Sequence, residues 1–213
     1  MLATRVLVLR HAEKPGMFNG VAHSGTDAFG NPDPESLTSV GWQRAGALAA
    51  LLAPQTKPFA HPLLAKPDFL FASRPFVSGP DVKVSKRPFQ TISPLTQKLG
   101  LSVDTSFEKT DHARMVAAAL SLEGVVLISW QHELIPLIAK EILVGTGTSS
   151  LVVPETWPKP RYDVIWVFDR PAGDGPFASF TQVPQCLLFG DLSEVIPLES
   201  TSESVNQTEP AGP

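Results

Sequence analysis

Four short runs of consecutive apolar residues recur along the chain and have the pattern of buried β-strands. They read RVLVLR near the start, DFLFAS and VVLISW in the middle, and DVIWVF in the last third. An apolar run of this length, without polar alternation, is typical of a strand that is covered on both faces of its sheet. The pattern therefore predicts four strands inside one sheet.

Between these runs, apolar residues recur at the three- and four-residue spacing of helices, in SLTSVGWQRAGALAALLA, RPFQTISPLTQKLG, DHARMVAAALSLEG and HELIPLIAKEILVG. Ser36 or Thr38 is suited to cap the first helix, and Gly100 to end the second. Asp111 and Gly124 are expected to bound the third. Alternation of strands and helices predicts an α/β fold with three layers, in which a mostly parallel central sheet carries helices on both faces.

Length and composition suit one domain. The chain has 213 residues, 43% of them hydrophobic, which is enough for a sizeable core. We expect a single domain over residues 1–192. Residues 193–213 lack aromatic side chains and are rich in Ser, Glu and Pro, so we expect a polar, mobile tail there.

Charge and hydropathy exclude some classes of partner. The net charge is −4, which disfavours nucleic acid as a ligand, because duplex binding requires a basic surface. No apolar run is long enough to span a bilayer, and the opening MLATRVLVLRHAEK does not have the pattern of a signal peptide. Cys186 is the only cysteine; we expect it to be buried, in a cytoplasmic protein.

Histidines and arginines follow three of the predicted strands. Arg10 and His11 end the first strand, and His132 and Glu133 follow VVLISW. Arg87 begins the helix that comes after DFLFAS and a long loop. In parallel α/β sheets ligands bind beyond the carboxyl ends of the strands, so these side chains are expected to converge on one site.

Two arginines and two histidines at one edge suit a phosphate dianion. A guanidinium fork binds phosphate oxygens in pairs, and a helix amino terminus adds free N–H groups. A neutral imidazole is a competent nucleophile for phosphoryl transfer, and a second, protonated imidazole stabilises the charge of the transition state. We therefore expect chemistry that requires no metal and no other cofactor.

The same segments resemble the histidine phosphatase superfamily, also called the phosphoglycerate mutase-like family. The motifs LRHAEKP, SLTSVGWQRAGALAALL, FASRPF with SKRPFQT, and VLISWQHELIP occur in that order from Arg5 to about Ile142. The resemblance implies the α/β fold of that family. It also implies that His11 is phosphorylated and that Arg10, Arg87 and His132 hold the phosphate.

The proton donor to the leaving group has three candidates. One branch of the family places an acid directly after the second histidine, where this chain has Glu133. The other places a Glu after the third strand, where this chain has Glu108. Glu13 is a third option, but a structural role in the first loop is favoured for it. We favour Glu133 over Glu108, because it adjoins His132 at the edge of the sheet.

Further residues are candidates for substrate binding. Arg74, Lys83 and Lys86 make the loop after DFLFAS basic, which favours an anionic substrate. Trp157 precedes the last apolar run and either lines the pocket or packs in the core. The expected partner is a small phosphorylated molecule or phosphate; the sequence does not indicate an oligomeric state.

These patterns predict a metal-independent phosphomonoester hydrolase that works through a phosphohistidine on His11. Two alternatives remain open. One is a phosphomutase of the same fold, although the chain lacks the RHGES and NERHYG segments expected of a glycolytic phosphoglycerate mutase. The other is a non-catalytic module that binds a phosphorylated ligand.

Overall fold

The computed structural model describes residues 3–18, 20–56, 58–75, 85–170 and 175–198. In chain order their elements are β1 (Ala3–Arg10), β2 (Gly16–Phe18), β3 (Val21–His23), α1 (Ser39–Leu52), β4 (Phe69–Ala72), α2 (Arg87–Leu99), β5 (Val103–Asp104), α3 (His112–Leu120), β6 (Gly124–Trp130), α4 (Ile135–Gly145), β7 (Val164–Asp169) and β8 (Ser179–Pro184).

Six of these strands form the central sheet, in the order β5-β4-β6-β1-β7-β8. The strands β5, β4, β6 and β1 are parallel to one another, whereas β7 is antiparallel to both β1 and β8. The four apolar runs of the sequence are β1, β4, β6 and β7. The predicted α/β class with a mostly parallel sheet is confirmed. Because β7 is antiparallel to β1, the residues that precede β7 lie at the carboxyl end of β1.

Helices cover both faces of the sheet, which makes the three predicted layers. On one face, Val6 and Val8 of β1 belong to a core that includes residues of α3 and α4. On the other face, Leu7 and Leu9 belong to a core with residues of α1 and α2. Side chains of a strand alternate between faces, so an uninterrupted apolar run is needed to fill both cores.

Two capping residues explain where α1 begins and where α2 ends. The Thr38 side chain accepts a hydrogen bond from the Gly41 amide at 3.2 Å and caps α1. Gly100 ends α2 with a φ of 66°, in the left-handed region that glycine favours. The expectation for Gly124 was wrong: α3 ends at Leu120, and Gly124 begins β6 instead.

Several features of the described residues were not expected from the sequence. The loop after β1 contains a short antiparallel hairpin of β2 and β3. Cys186 follows β8 and is exposed, so the expectation of a buried thiol was wrong. Ile196 is only 2% exposed and hydrogen-bonds to Gln182, so packing continues to that position. The remaining part of the predicted tail, 199–213, lies outside the described residues.

Within the described ranges, no helix is long and apolar enough to cross a membrane.

Candidate active site

A polar cavity of about 460 Å³ lies at the carboxyl ends of β1, β4 and β6. Its wall includes His11, Arg87 and His132, so three of the predicted residues meet there. Arg10 lies behind this wall and is 1% exposed. We call this cavity the rim cavity. Its position agrees with the rule that ligands of α/β sheets bind beyond the strand ends.

The central position of β1 explains why an apolar strand ends in polar side chains. β1 pairs with β6 on one side and β7 on the other, and its register with β6 continues to Arg10 opposite Trp130. The amide of His11 then donates to the carbonyl oxygen of Trp130 at 3.0 Å. The strand is therefore fixed up to the residue whose side chain enters the cavity.

The His11 side chain is fixed in one tautomer by a backbone carbonyl. Its Nδ1 atom lies 2.7 Å from the carbonyl oxygen of Ala12. A carbonyl only accepts, so Nδ1 carries the hydrogen and Nε2 keeps its lone pair. Burial, followed by the positive charge of Arg10, holds the pKa of His11 well below its usual value of 6.5. His11 is therefore a neutral imidazole with a free nitrogen, as a nucleophile must be.

Arg10 presents unpaired N–H groups in a buried position. Its Nη1 atom donates to the carbonyl oxygens of Arg161, at 3.0 Å, and Lys159. Its Nε and Nη2 atoms are buried without a partner. Burial lowers the pKa of Arg10 to about 10, so the side chain stays charged at neutral pH. Buried N–H groups of a cation are rarely left without an acceptor, so these two donors of Arg10 are available to an anionic ligand.

Arg87 begins α2 and brings a second guanidinium to the rim cavity. Its Nη1 atom donates to the carbonyl oxygen of Pro34 at 3.0 Å, and Nη2 lies 3.6 Å from Oε2 of Glu35. Its Nε atom is buried without a partner. Burial lowers the pKa of Arg87, against the raising effect of Glu35. One donor of Arg87 is thus also left for a ligand.

His132 is neutral in the free protein, which differs from the expected protonated imidazole. Burial, followed by the charge of Arg10, lowers the pKa of His132 to about 4. Its Nδ1 atom lies 2.8 Å from Oε2 of Glu133, but without the geometry of a hydrogen bond. The sequence did not reveal this state, because it depends on burial and on the nearby charge of Arg10, which together exceed the opposing effect of Glu133.

The two carboxyl groups proposed as proton donors both line the rim cavity. Burial, the largest single effect, acts to raise the pKa of Glu133, but the hydrogen bond from Lys109, a backbone hydrogen bond and the charges of Lys109 and His132 together outweigh it, so the pKa falls to about 2. Glu133 is therefore ionised at neutral pH. Glu108 is about half exposed and lies 3.4 Å from Nη1 of Arg74.

Glu13 belongs to a buried ion-pair network outside the rim cavity. Its Oε1 atom lies 2.8 Å from Nη2 of Arg44, which also contacts Asp191 at 2.6 Å. Truncating one partner of such a network leaves an unpaired buried charge. These contacts agree with the structural role that was favoured for Glu13.

The proposed substrate-binding residues separate into two groups. Arg74 lines the rim cavity. Lys86 does not line it; its ammonium group lies 2.7 Å from Oδ2 of Asp33. Trp157 is 5% exposed and packs with its ring centre 5.0 Å from that of Trp166, so it lies in the core and not in the cavity wall. Lys83 lies outside the described residues.

Sequence reasoning missed other residues that shape the site. Lys14 and Lys109 line the rim cavity, and the Tyr162 ring lies against Arg10. Partial burial, followed by the charges of Arg10 and Arg87, lowers the pKa of Lys14, which shows how positive this region is. The sequence could have indicated that Lys14 lies near the site, because it comes only three residues after His11. It gave no such indication for Tyr162, whose position depends on β7 being antiparallel to β1.

No group of three or more His, Cys, Asp or Glu side chains within the described residues is arranged to hold a metal ion.

Comparisons with protein-family models and with curated proteins give no match. Among solved structures, the chain is similar to one titled "Crystal structure of the putative phosphohistidine phosphatase SixA from Agrobacterium tumefaciens". The two share 16% sequence identity, with a TM-score of 0.44, over 84% of this chain and 97% of that chain. A likeness at this level carries no argument about function, which has to come from the rim cavity itself.

Proposed function

We propose that this protein is a phosphomonoester hydrolase in which His11 is the nucleophile. The observation that carries the proposal is the set of unpaired N–H groups on Arg10 and Arg87. The positive charges of both arginines also act to lower the pKa of His11, which keeps its imidazole neutral. An anionic group with several acceptor oxygens satisfies such donors, and a phosphoryl group has three. The donors and the nucleophile then bind the same group.

The reaction follows from these positions. Nε2 of His11 attacks phosphorus, the P–O bond to the leaving group breaks, and the phosphoryl group becomes attached to the imidazole. Arg10 and Arg87 donate to the equatorial oxygens as charge spreads over them. Water then attacks phosphorus, the P–N bond breaks, and phosphate and the free imidazole are released.

His132 takes part once the anion is bound. It is neutral without a ligand, because burial and Arg10 lower its pKa to about 4. A phosphate dianion close to it reverses the sign of the local field and raises this pKa, so the bound group itself favours the protonated imidazole. The proton then serves as a hydrogen-bond donor to the transferring group.

A non-catalytic phosphate-binding module is the second candidate. It is favoured by the ionised state of Glu133, which lacks the proton that a leaving alkoxide needs. The two candidates differ only in whether the P–O bond is broken.

Phosphate release from a panel of phosphomonoesters tests the proposal. We expect turnover of at least one compound by the native protein and none by His11→Ala. A native protein that binds orthophosphate but releases none from any compound would support the binding module. Trp166→Phe is a suitable control, because this residue lies in the core and outside the cavity wall.

A further inference from the structure

The segment of residues 157–163 holds the guanidinium group of Arg10 at one end. Nη1 of Arg10 has two hydrogens, and the carbonyl oxygens of Lys159 and Arg161 accept from this atom. The guanidinium is a rigid, planar fork, so fixing Nη1 also fixes the direction of the opposite edge. That edge consists of Nε and Nη2, the two atoms that are buried without a partner.

The face of the same guanidinium is fixed by an aromatic ring. The Cζ atom of Arg10 lies 3.8 Å from the ring centre of Tyr162. Tyr162 is itself buried, with 6% exposure, and its carbonyl oxygen accepts from Nε2 of Gln185 at 3.1 Å. A cation stacked on a buried ring has lost part of its freedom to rotate out of plane. Arg10 is thus restrained in two independent directions.

Trp157 completes this arrangement, although it does not contact the rim cavity. Its Nε1 atom donates at 2.9 Å to the carbonyl oxygen of Arg161, the same atom that accepts from Arg10. The Arg161 side chain is anchored as well, by Asp163 at 2.7 Å and the carbonyl oxygen of Glu194 at 2.6 Å. The acceptor for Arg10 is therefore held in place from both sides.

We propose that residues 157–163 are a positioning element that orients the Nε–Nη2 edge of Arg10 toward the phosphoryl group. Trp157 and Tyr162 are then positioning residues: each acts on the ligand through Arg10. The inference rests on the proposed function in one respect, that the ligand of Arg10 is a phosphoryl group. It predicts that an aromatic residue outside the rim cavity influences the affinity of that cavity for phosphate.

The dissociation constant for inorganic phosphate, measured by calorimetry, tests the inference without any need for turnover. Trp157→Phe keeps an aromatic ring but removes the indole N–H, and we expect it to raise the dissociation constant about fivefold, the effect of one net hydrogen bond. Trp166→Phe is the matched control. Trp166 lies in the same core, and its Nε1 atom donates to Oε1 of Gln182 at 3.1 Å. Its ring packs against that of Trp157, with 5.0 Å between the ring centres, so Trp166→Phe controls for altered packing while the hydrogen bond from Trp157 to Arg161 is kept. It should change the dissociation constant by no more than about twofold.

Two variants of Tyr162 distinguish the contribution of its ring from that of its hydroxyl group. Tyr162→Phe keeps the ring over Arg10 and should bind phosphate nearly as well as the native protein. Tyr162→Leu removes the ring and should weaken binding about tenfold. Melting temperatures of all four variants show whether any loss of affinity simply follows a loss of stability.

Double variants identify Arg10 as the intermediary. In an Arg10→Met background, Trp157→Phe should have no further effect on phosphate binding, whereas in Arg87→Ala it should keep its effect. An equal effect of Trp157→Phe in both backgrounds, or an equal loss with Trp166→Phe, would overturn the inference. If instead the native protein does not bind phosphate at all, the proposed function itself fails, and the inference falls with it.

Discussion

The Nδ1 atom of His132 lies 2.8 Å from Oε2 of Glu133, and both residues line the rim cavity. Burial raises the pKa of Glu133, but the hydrogen bond that it accepts from Lys109, together with its backbone hydrogen bond and the nearby positive charges, outweighs this effect and lowers the pKa to about 2. A carboxylate with this pKa is a poor source of protons at neutral pH. Its contacts suit it better to orient His132 and to support the charge that His132 acquires when phosphate binds.

We therefore predict that Glu108, and not Glu133, donates the proton to the leaving group. An alkoxide needs this proton, whereas nitrophenolate leaves well without it. Glu108→Gln should slow the hydrolysis of alkyl phosphates much more than that of nitrophenyl phosphate. Steady-state rates with both types of substrate measure the difference.

The matched variant for this comparison is Glu133→Gln, at the second carboxyl group of the rim cavity that was proposed as a proton donor. It should slow both types of substrate to a similar degree, because it acts on phosphate binding through His132. A selective loss of alkyl phosphate hydrolysis in Glu133→Gln would restore the original assignment.

The low pKa of His132 predicts a pH-dependent contribution to stability. In the unfolded chain this imidazole binds a proton below about pH 6.5, whereas in the folded protein it does so only near pH 4. The unfolded state therefore binds more protons between these values, and the folded state loses stability as the pH falls from about 6.5 to about 4. His132→Gln should lose less stability over this range than the native protein.

Urea unfolding at several pH values without phosphate measures this effect. The quantity of interest is the difference in unfolding free energy between the native protein and His132→Gln, because titrating groups that do not interact with His132 cancel in it. The difference should change in favour of the variant as the pH falls. A difference that is independent of pH would mean that the pKa of His132 is not lowered.

Removal of one side chain that donates a hydrogen bond to the transferring phosphoryl group should strongly lower the rate of hydrolysis. Arg87→Ala and His132→Ala should each lower kcat/KM by roughly two to three orders of magnitude, as found for other donors to a developing charge. Arg114→Ala removes an arginine whose side chain is 79% exposed and should have little effect. Rates close to native in Arg87→Ala would show that the phosphoryl group binds elsewhere.

Chelators should leave the activity unchanged, because in this proposal Arg10 and Arg87 provide the positive charge at the phosphoryl group. The measurement is turnover after prolonged dialysis against a chelator, with and without added divalent cations. Loss of activity that an added cation restores would contradict the proposed role of the two arginines.

Four of the six strands of the central sheet were predictable from the sequence, because uninterrupted apolar runs are typical of strands covered on both faces, whereas the edge strands β5 and β8 were not predicted. Val6, Leu7, Val8 and Leu9 are all fully buried, and only a strand covered on both faces requires such a run. The convergence of His11, Arg87 and His132 followed from the same reasoning, since each comes at the end of a parallel strand or in the loop beyond it. Local sequence and one rule of topology were sufficient there.

The support of Arg10 was not predictable in this way. Lys159, Arg161 and Tyr162 reach Arg10 only because β7 runs antiparallel to β1, and an apolar run does not indicate its own direction. The protonation state of His132 was missed for a related reason. A pKa depends on burial and on charges that are distant in sequence, and these are known only once the chain is folded.

The covalent intermediate on His11 is the direct consequence of the proposed function. Rapid quenching under alkaline conditions, followed by mass spectrometry of the digested protein, detects a phosphoryl group attached to an imidazole. We predict a phosphorylated peptide that contains His11 in the native protein, formed at least as fast as turnover, and none in His11→Ala. Turnover of a phosphomonoester without this intermediate, or turnover retained in His11→Ala, would contradict the role of His11 as the nucleophile.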